Sequence, residues 1–166
     1  MTALKPGDLF AVHSKSWLGS CIRAVQWFWS SDNEAAYSHV GVIMGPHGTT
    51  LEARWRFKTY NISDYRGSRI LIMRHKLMTI KRVHDGYMAV KNDVGDLYPA
   101  WRFPFFLLHL EKFCRFGNGV CSEQTGKFMK GAGFKNIVYG ITPDDLADRW
   151  RIDRDMDIIF EGVWNG

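Results

Sequence analysis

Residues 37–57 constrain the fold most tightly. Gly45-Pro46-His47-Gly48 is a turn, and it separates two segments that read as strands. Tyr37 to Met44 is rich in β-branched and small residues. Thr50 to Phe57 alternates, with Leu51, Ala53, Trp55 and Phe57 on one side and Glu52, Arg54 and Arg56 on the other. Two such segments fold back on each other as an antiparallel hairpin. His39 on the first arm and Glu52 on the second then come opposite or nearly opposite one another.

The remaining segments add strands and helices in mixed order. Leu9 to Val12 follows the turn-rich Lys5-Pro6-Gly7-Asp8 and reads as a short strand. Ser16 caps a helix to about Trp29, with apolar residues at helical spacing. Arg69 to Arg74 contains Ile70-Leu71-Ile72-Met73, a buried strand. Thr79 to Val94 reads as a helix ended near Gly95, and Cys121 opens another that ends near Gly131-Ala132-Gly133. Ile137 to Tyr139 and Asp157 to Gly162 read as strands. Thr142-Pro143-Asp144-Asp145 is a helix start, with a Thr cap, Pro in the first turn and acids against the dipole. The order predicts an α+β fold. With 166 residues, 46% of them hydrophobic and no repeat or linker, the chain suits one domain over residues 1–166.

Several function classes find no support. The sequence has no Walker loop and no dinucleotide fingerprint. It has no Cys-x-x-Cys pair, and His13, His75, His84 and His109 show no zinc spacing. No metal and no cofactor are expected. The first residues lack the apolar core of a signal peptide, and Phe103 to Leu110 is too short to span a bilayer. The expectation is a cytoplasmic protein whose three cysteines are reduced, one of them reactive. Cys21 sits among apolar residues on the first helix, which suits a core position.

Cys121 is the cysteine best placed for chemistry. It lies in Gly119-Val120-Cys121-Ser122-Glu123-Gln124, at a helix start. The positive end of the helix dipole and the free N–H groups there favour thiolate, the attacking species. The same N–H groups can hold the oxyanion formed when a carbonyl is attacked. His39, beside the small residues Ser38 and Gly41, can supply an imidazole base. Glu52 can accept a hydrogen bond from the second ring nitrogen and fix its tautomer. Taken singly, Cys121 and His39 also fit structural roles, and Glu52 also fits an exposed hairpin face.

Four segments occur in a telling order: Pro6-Gly7-Asp8-Leu9-Phe10, Ser38-His39-Val40-Gly41-Val42, Leu51-Glu52-Ala53 and Val120-Cys121-Ser122-Glu123. Together they resemble the YiiX/YebB-like permuted papain amidases of the NlpC-type superfamily. Thr142-Pro143-Asp144-Asp145-Leu146 resembles a late segment of that family. The resemblance implies a circularly permuted papain-like fold, an antiparallel sheet packed against helices with the Cys at a helix N-terminus. It implies Cys121 as nucleophile, His39 as base and Glu52 as the orienting group. It further implies substrate contacts from Tyr37, from Asp8 and from Ser122 beside the nucleophile. Tyr37 would donate a hydrogen bond in the site, and Asp8 would recognise an amine or cap a turn. The implied activity is a cysteine amidase or peptidase working through an acyl-enzyme, with cell-wall-type peptides as the analogous substrates.

Two rival functions rest on other features. Trp101-Arg102-Phe103-Pro104-Phe105-Phe106-Leu107-Leu108 could line an acyl groove, touch a membrane surface or form core. The groove reading would suit a lipid-directed thiol acyltransferase or thioesterase, because lecithin-retinol-acyltransferase-like proteins share the permuted order. Between Arg54 and Arg82, nine Lys and Arg face the single acid Asp64. With Trp55, Phe57, Tyr60 and Tyr65 interleaved, that stretch could bind nucleic acid or another anionic ligand, or simply form solvated strand faces.

Overall fold

Buried β-branched and aliphatic residues on four short segments form the centre of one antiparallel sheet. The computed structural model describes residues 3–14, 20, 36–97, 120–134 and 142–166. The strands are β1 (Leu9–Val12), β2 (His39–Ile43), β3 (Thr49–Ala53), β4 (Phe57–Asn61), β5 (Arg69–His75) and β6 (Met156–Val163). Their order across the sheet is β4-β3-β2-β1-β5-β6. Every pairing is antiparallel. The helices are α1 (Ile80–Val90), α2 (Cys121–Gly131) and α3 (Pro143–Ile152). Short 3-10 turns follow β4 at Ile62–Tyr65 and α1 at Lys91–Asp93. This is the expected α+β class, with the His39 strand ahead of the Cys121 helix.

The period of two along each strand sorts the core into two layers. Leu9, Ala11, Val40, Val42, Leu51, Ala53, Leu71 and Met73 pack in one buried cluster with Phe128, Met129, Leu146 and Trp150 of the helices. Phe10, Val12, Ile43, Ile70 and Ile72 form the other cluster, closed by Ile62 and Tyr65 of the first 3-10 turn. His39, Gly41, Thr50 and Glu52 belong to this second side by strand alternation.

Glycines let α1 and α2 approach closely. A Cβ on Gly86 would lie 2.8 Å from the Phe128 carbonyl oxygen, and one on Gly131 would lie 2.4 Å from Cβ of Ala89. A side chain at either position would force the two helices to shift apart. The α2 axis is thereby fixed against α1, and with it the position of its first residue, Cys121.

Several expected boundaries hold closely. Thr142 caps α3, its Oγ1 accepting from the Asp145 N–H at 3.2 Å. α2 starts at Cys121 and ends at Gly131, and Gly95, at φ +102°, follows the turn after α1. The segment Thr50 to Phe57 departs from expectation. It is not one strand: the chain reverses after β3, and Ala53 pairs with Phe57 at the start of β4. The physical cause lies in the alternation itself. Phe57 is buried, but Trp55 at the reversal is 64% exposed, so the apolar side ends at Ala53 and resumes on the next strand. The expected helix from Ser16, the strand Ile137 to Tyr139, the run Trp101 to Leu108, and Cys21 and Cys114 lie outside the described residues. Among the described residues no helix is long and apolar enough to cross a membrane.

Candidate active site

The site starts from a missing side chain. Gly41 on β2 faces Phe10 on β1, and continuing the β2–β3 register places it across from Glu52. A Cβ on Gly41 would lie 2.7 Å from the Phe10 ring and 2.9 Å from Cβ of Glu52. Glycine thus leaves the space in which the Glu52 carboxylate turns toward His39, two residues back on β2. Glu52 is therefore diagonal to His39, not directly opposite it. The two still meet: His39 Nε2 donates to Glu52 Oε2 at 2.6 Å. Both residues are buried.

The carboxylate is held on both oxygens. Thr50 Oγ1 donates to Oε1 at 2.6 Å, while Arg54 Nε at 3.2 Å and the Tyr65 hydroxyl donate to Oε2. Burial raises the Glu52 pKa, but the hydrogen bond and charge of His39, with Arg54 and Thr50, bring it down to about 2. Burial pushes the His39 pKa down, but the charge and hydrogen bond of Cys121, then those of Glu52, carry it up to about 9. Near neutral pH, His39 and Glu52 are therefore an ion pair. Burial, with the Glu52 charge, drives the Tyr65 pKa far up, so its hydroxyl stays a donor.

Cys121 meets the ring from α2. Its thiol is close enough that its charge and hydrogen bonding act on His39, whose Nε2 is taken by Glu52. The first turn of α2 has no side-chain cap at Val120, and the Glu123 carboxylate instead accepts from the Val120 N–H at 2.9 Å. The N–H groups of the first helical turn have no partner within the helix. Cys121 is a free thiol and buried. Ser122 is buried beside it in the same turn. The structure thus brings Cys121, His39 and Glu52 together.

Tyr37 and Asp8 have other partners. The Tyr37 hydroxyl donates to Glu161 Oε1 at 3.2 Å and accepts from Arg151 at 3.1 Å. The expected donation into the site is thereby corrected, because that hydroxyl is held by α3 and β6. Asp8 is buried and takes both arms of Arg74, at 2.7 and 2.8 Å. It also accepts from the Lys5 N–H at 2.8 Å, which makes it the turn cap rather than an amine receptor. In the basic stretch, Arg69 pairs with Glu161, Arg74 with Asp8, Lys76 with Asp157 and Lys81 with Asp85.

Thr50, Arg54 and Tyr65 were not expected at this site from the sequence. The first two had a signal: Thr50, Glu52 and Arg54 alternate and so share one side of the chain. Tyr65 had none, because only the fold of the 3-10 turn brings it back over β3.

No protein-family model matches the sequence, and no curated protein matches it. Among solved structures, the crystal structure of YiiX from Escherichia coli O157:H7 superposes with a TM-score of 0.64, covering 95% of this chain and 97% of that one at 14% identity. The chain has the YiiX fold. That agreement extends over nearly the full length of both chains, and it supports the permuted papain-like architecture expected from the order of the His and Cys segments. The E. coli protein is described as a metalloprotein. The described residues do not fit a metal. Among the described residues no three His, Cys, Asp or Glu side chains are grouped to hold an ion. Both Glu52 oxygens and the His39 Nε2 are already engaged in hydrogen bonds.

Proposed function

We propose that this chain is a cysteine hydrolase of the amidase or peptidase type. Cys121 is its nucleophile, His39 its acid and base, and Glu52 the group that orients His39. The observation that supports this reading most directly is the 2.6 Å bond from His39 to a buried Glu52, made while the same ring interacts with Cys121.

The steps follow from that arrangement. The Cys121 thiolate attacks the carbonyl carbon of an amide and forms a carbon–sulfur bond. Backbone N–H groups in the first turn of α2 hold the resulting oxyanion. The carbon–nitrogen bond then breaks, and the His39 imidazolium gives its proton to the leaving amine. Neutral His39 takes a proton from water as the water attacks the thioester. The carbon–sulfur bond breaks, the acid leaves, and the thiolate–imidazolium pair is restored. Glu52 stabilises the imidazolium in both half-reactions. Peptides of the cell-wall type are the substrates that the family resemblance suggests.

A turnover screen with cell-wall peptides, a general peptide library and lipid esters tests this reading, with Cys121→Ala as control. Amide turnover lost in the control is the expected result. Turnover confined to the lipid esters, or undiminished in Cys121→Ala, would overturn it. Limiting iodoacetamide at neutral pH gives a second test. Cys121 should label before Cys21 and Cys114, and His39→Ala should slow it. Because Cys121 is only 3% exposed, fast labelling would report activation rather than access.

A further inference from the structure

Glu52 carries more donors than are needed to orient one histidine. Besides His39 it takes Thr50, Tyr65 and Arg54, and Arg54 and His39 share the same oxygen, Oε2. Arg54 reaches it because positions 50, 52 and 54 lie on one side of the chain, just where β3 ends and reverses.

Arg54 is itself tightly held. Its Nε also donates to the Tyr65 hydroxyl at 3.1 Å, and one terminal nitrogen donates to Asp64 at 2.8 Å. Its guanidinium carbon lies 4.3 Å from the centre of the Tyr60 ring and 4.6 Å from that of Tyr65. The other terminal nitrogen is buried without a hydrogen-bond partner. A cation packed between two rings, with one nitrogen left unpaired, is not a solvated surface charge.

We propose that Arg54 is a positioning residue of the His39–Glu52 pair: its guanidinium shares the carboxylate oxygen that His39 uses, and so limits how strongly Glu52 retains the imidazolium proton. This rests on the reading of His39 as the acid and base of a hydrolase. In that reaction His39 must give its proton to the leaving group, and an imidazolium held too firmly gives it up slowly. The groups facing the ring set the balance. Glu52 on β3 and Cys121 on α2 bring negative charge. Tyr65, 6.1 Å away between ring centres, is a neutral donor. Phe10 on β1, 6.2 Å away, adds no charge. Arg54 brings positive charge to the oxygen that His39 touches, and works against the first two. Thr50 and Tyr65 still hold Glu52 when Arg54 is removed, so loss of the charge, not loss of the carboxylate's position, dominates the outcome.

The test is an NMR titration of the His39 ring in the full chain, with Arg54→Met and Arg54→Lys. Arg54→Met should move the midpoint upward by about one pH unit, the lower end for loss of a charge at this range. Arg54→Lys, which keeps the charge, should bring it most of the way back. Arg54→Gln replaces the Met variant if that one does not fold, with the same upward shift expected. An unchanged or lowered midpoint in the uncharged variant would overturn the proposal, as would a Lys variant that behaves like Met. A purely structural Arg54 would lower the melting temperature and leave the midpoint in place. Repeating the titration in Cys121→Ala separates the two readings. If the Arg54 shift persists there and the parent chain turns over no substrate, the hydrolase reading falls alone. If turnover depends on Cys121 and the midpoint ignores Arg54, the Arg54 proposal falls alone.

Discussion

Glu52 reaches His39 only because Gly41 stands across the strand pair from it. A Cβ on Gly41 would press on Cβ of Glu52 at 2.9 Å and on the Phe10 ring at 2.7 Å. Gly41→Ala should therefore destabilise the chain by about 1–3 kcal/mol, the usual cost of overpacking a tight core. It should also slow Cys121 alkylation, because the carboxylate is pushed off the ring. Urea unfolding and iodoacetamide kinetics on one preparation check both. A variant as stable and as reactive as the parent would mean that the Gly41 contact yields freely.

The His39–Glu52 ion pair gives stability a defined pH window. His39 is raised from 6.5 to about 9, so its contribution is complete below about 6.5 and is lost as pH rises through about 9. Glu52 is lowered from 4.5 to about 2, so its contribution is complete above about 4.5 and is lost as pH falls through about 2. Glu52→Gln should cost about 3–5 kcal/mol at pH 5.5, as expected for a broken buried pair. The gap to the parent should shrink above pH 9. Denaturant melts at both pH values measure it, and a gap independent of pH would count against an ionised pair.

Cys121 and Glu52 both support the His39 proton, with burial opposing them. Cys121→Ala should lower the His39 midpoint from about 9, and Glu52→Gln should lower it as well. In the double variant burial and the Arg54 charge act unopposed, and the midpoint should fall below 6.5. A ring titration by NMR reads each case. A Cys121→Ala midpoint equal to the parent's would show that sulfur and ring do not interact.

The α1–α2 crossing offers a test at a distance from the chemistry. Alanine in place of glycine normally favours a helix by about 0.5–1 kcal/mol. At Gly86 the added Cβ would meet the Phe128 carbonyl oxygen at 2.8 Å, and overpacking of about 1–3 kcal/mol outweighs that gain. Gly86→Ala should be less stable than the parent by thermal melting. A rise in melting temperature would mean that the two helices can separate without loss.

Asp8 distinguishes scaffold from substrate contact. Its bidentate pair with Arg74 is buried on the Asp side and 20% exposed on the Arg side chain. Asp8→Asn should cost about 1–3 kcal/mol, less than a fully buried pair because of that exposure. Below the melting range, Cys121 labelling should be unchanged. Slower labelling at full folding would return Asp8 to the site.

Much of this arrangement was legible in the sequence because it follows local rules. The α2 start at Cys121, the Thr142 cap and the hairpin around the Gly45–Gly48 turn depend on neighbours a few residues apart. The meeting of His39 and Glu52 followed from the hairpin, although the register made them diagonal rather than opposite. The reversal at Arg54 was hidden because β3 and β4 continue one alternating pattern through the turn. That continuation placed Arg54 on a solvated face, whereas the turn brings Tyr60 and Tyr65 around it. The Tyr37 hydroxyl went astray for a similar reason. Its partners Arg151 and Glu161 are over a hundred residues away in sequence, and no local pattern announces them.

The order of the strands also sets an order of arrival. Thr50, Glu52, Arg54, Tyr65 and His39 all precede residue 66, so synthesis delivers the imidazole and its whole supporting shell first. The sulfur comes with α2, after β5 has covered the far side of β1. A ribosome-bound chain can therefore pair His39 with Glu52 before Cys121 exists. The Cys121 sulfur is delivered to a His39–Glu52 pair whose residues are all made already, with α3 and β6 still to follow.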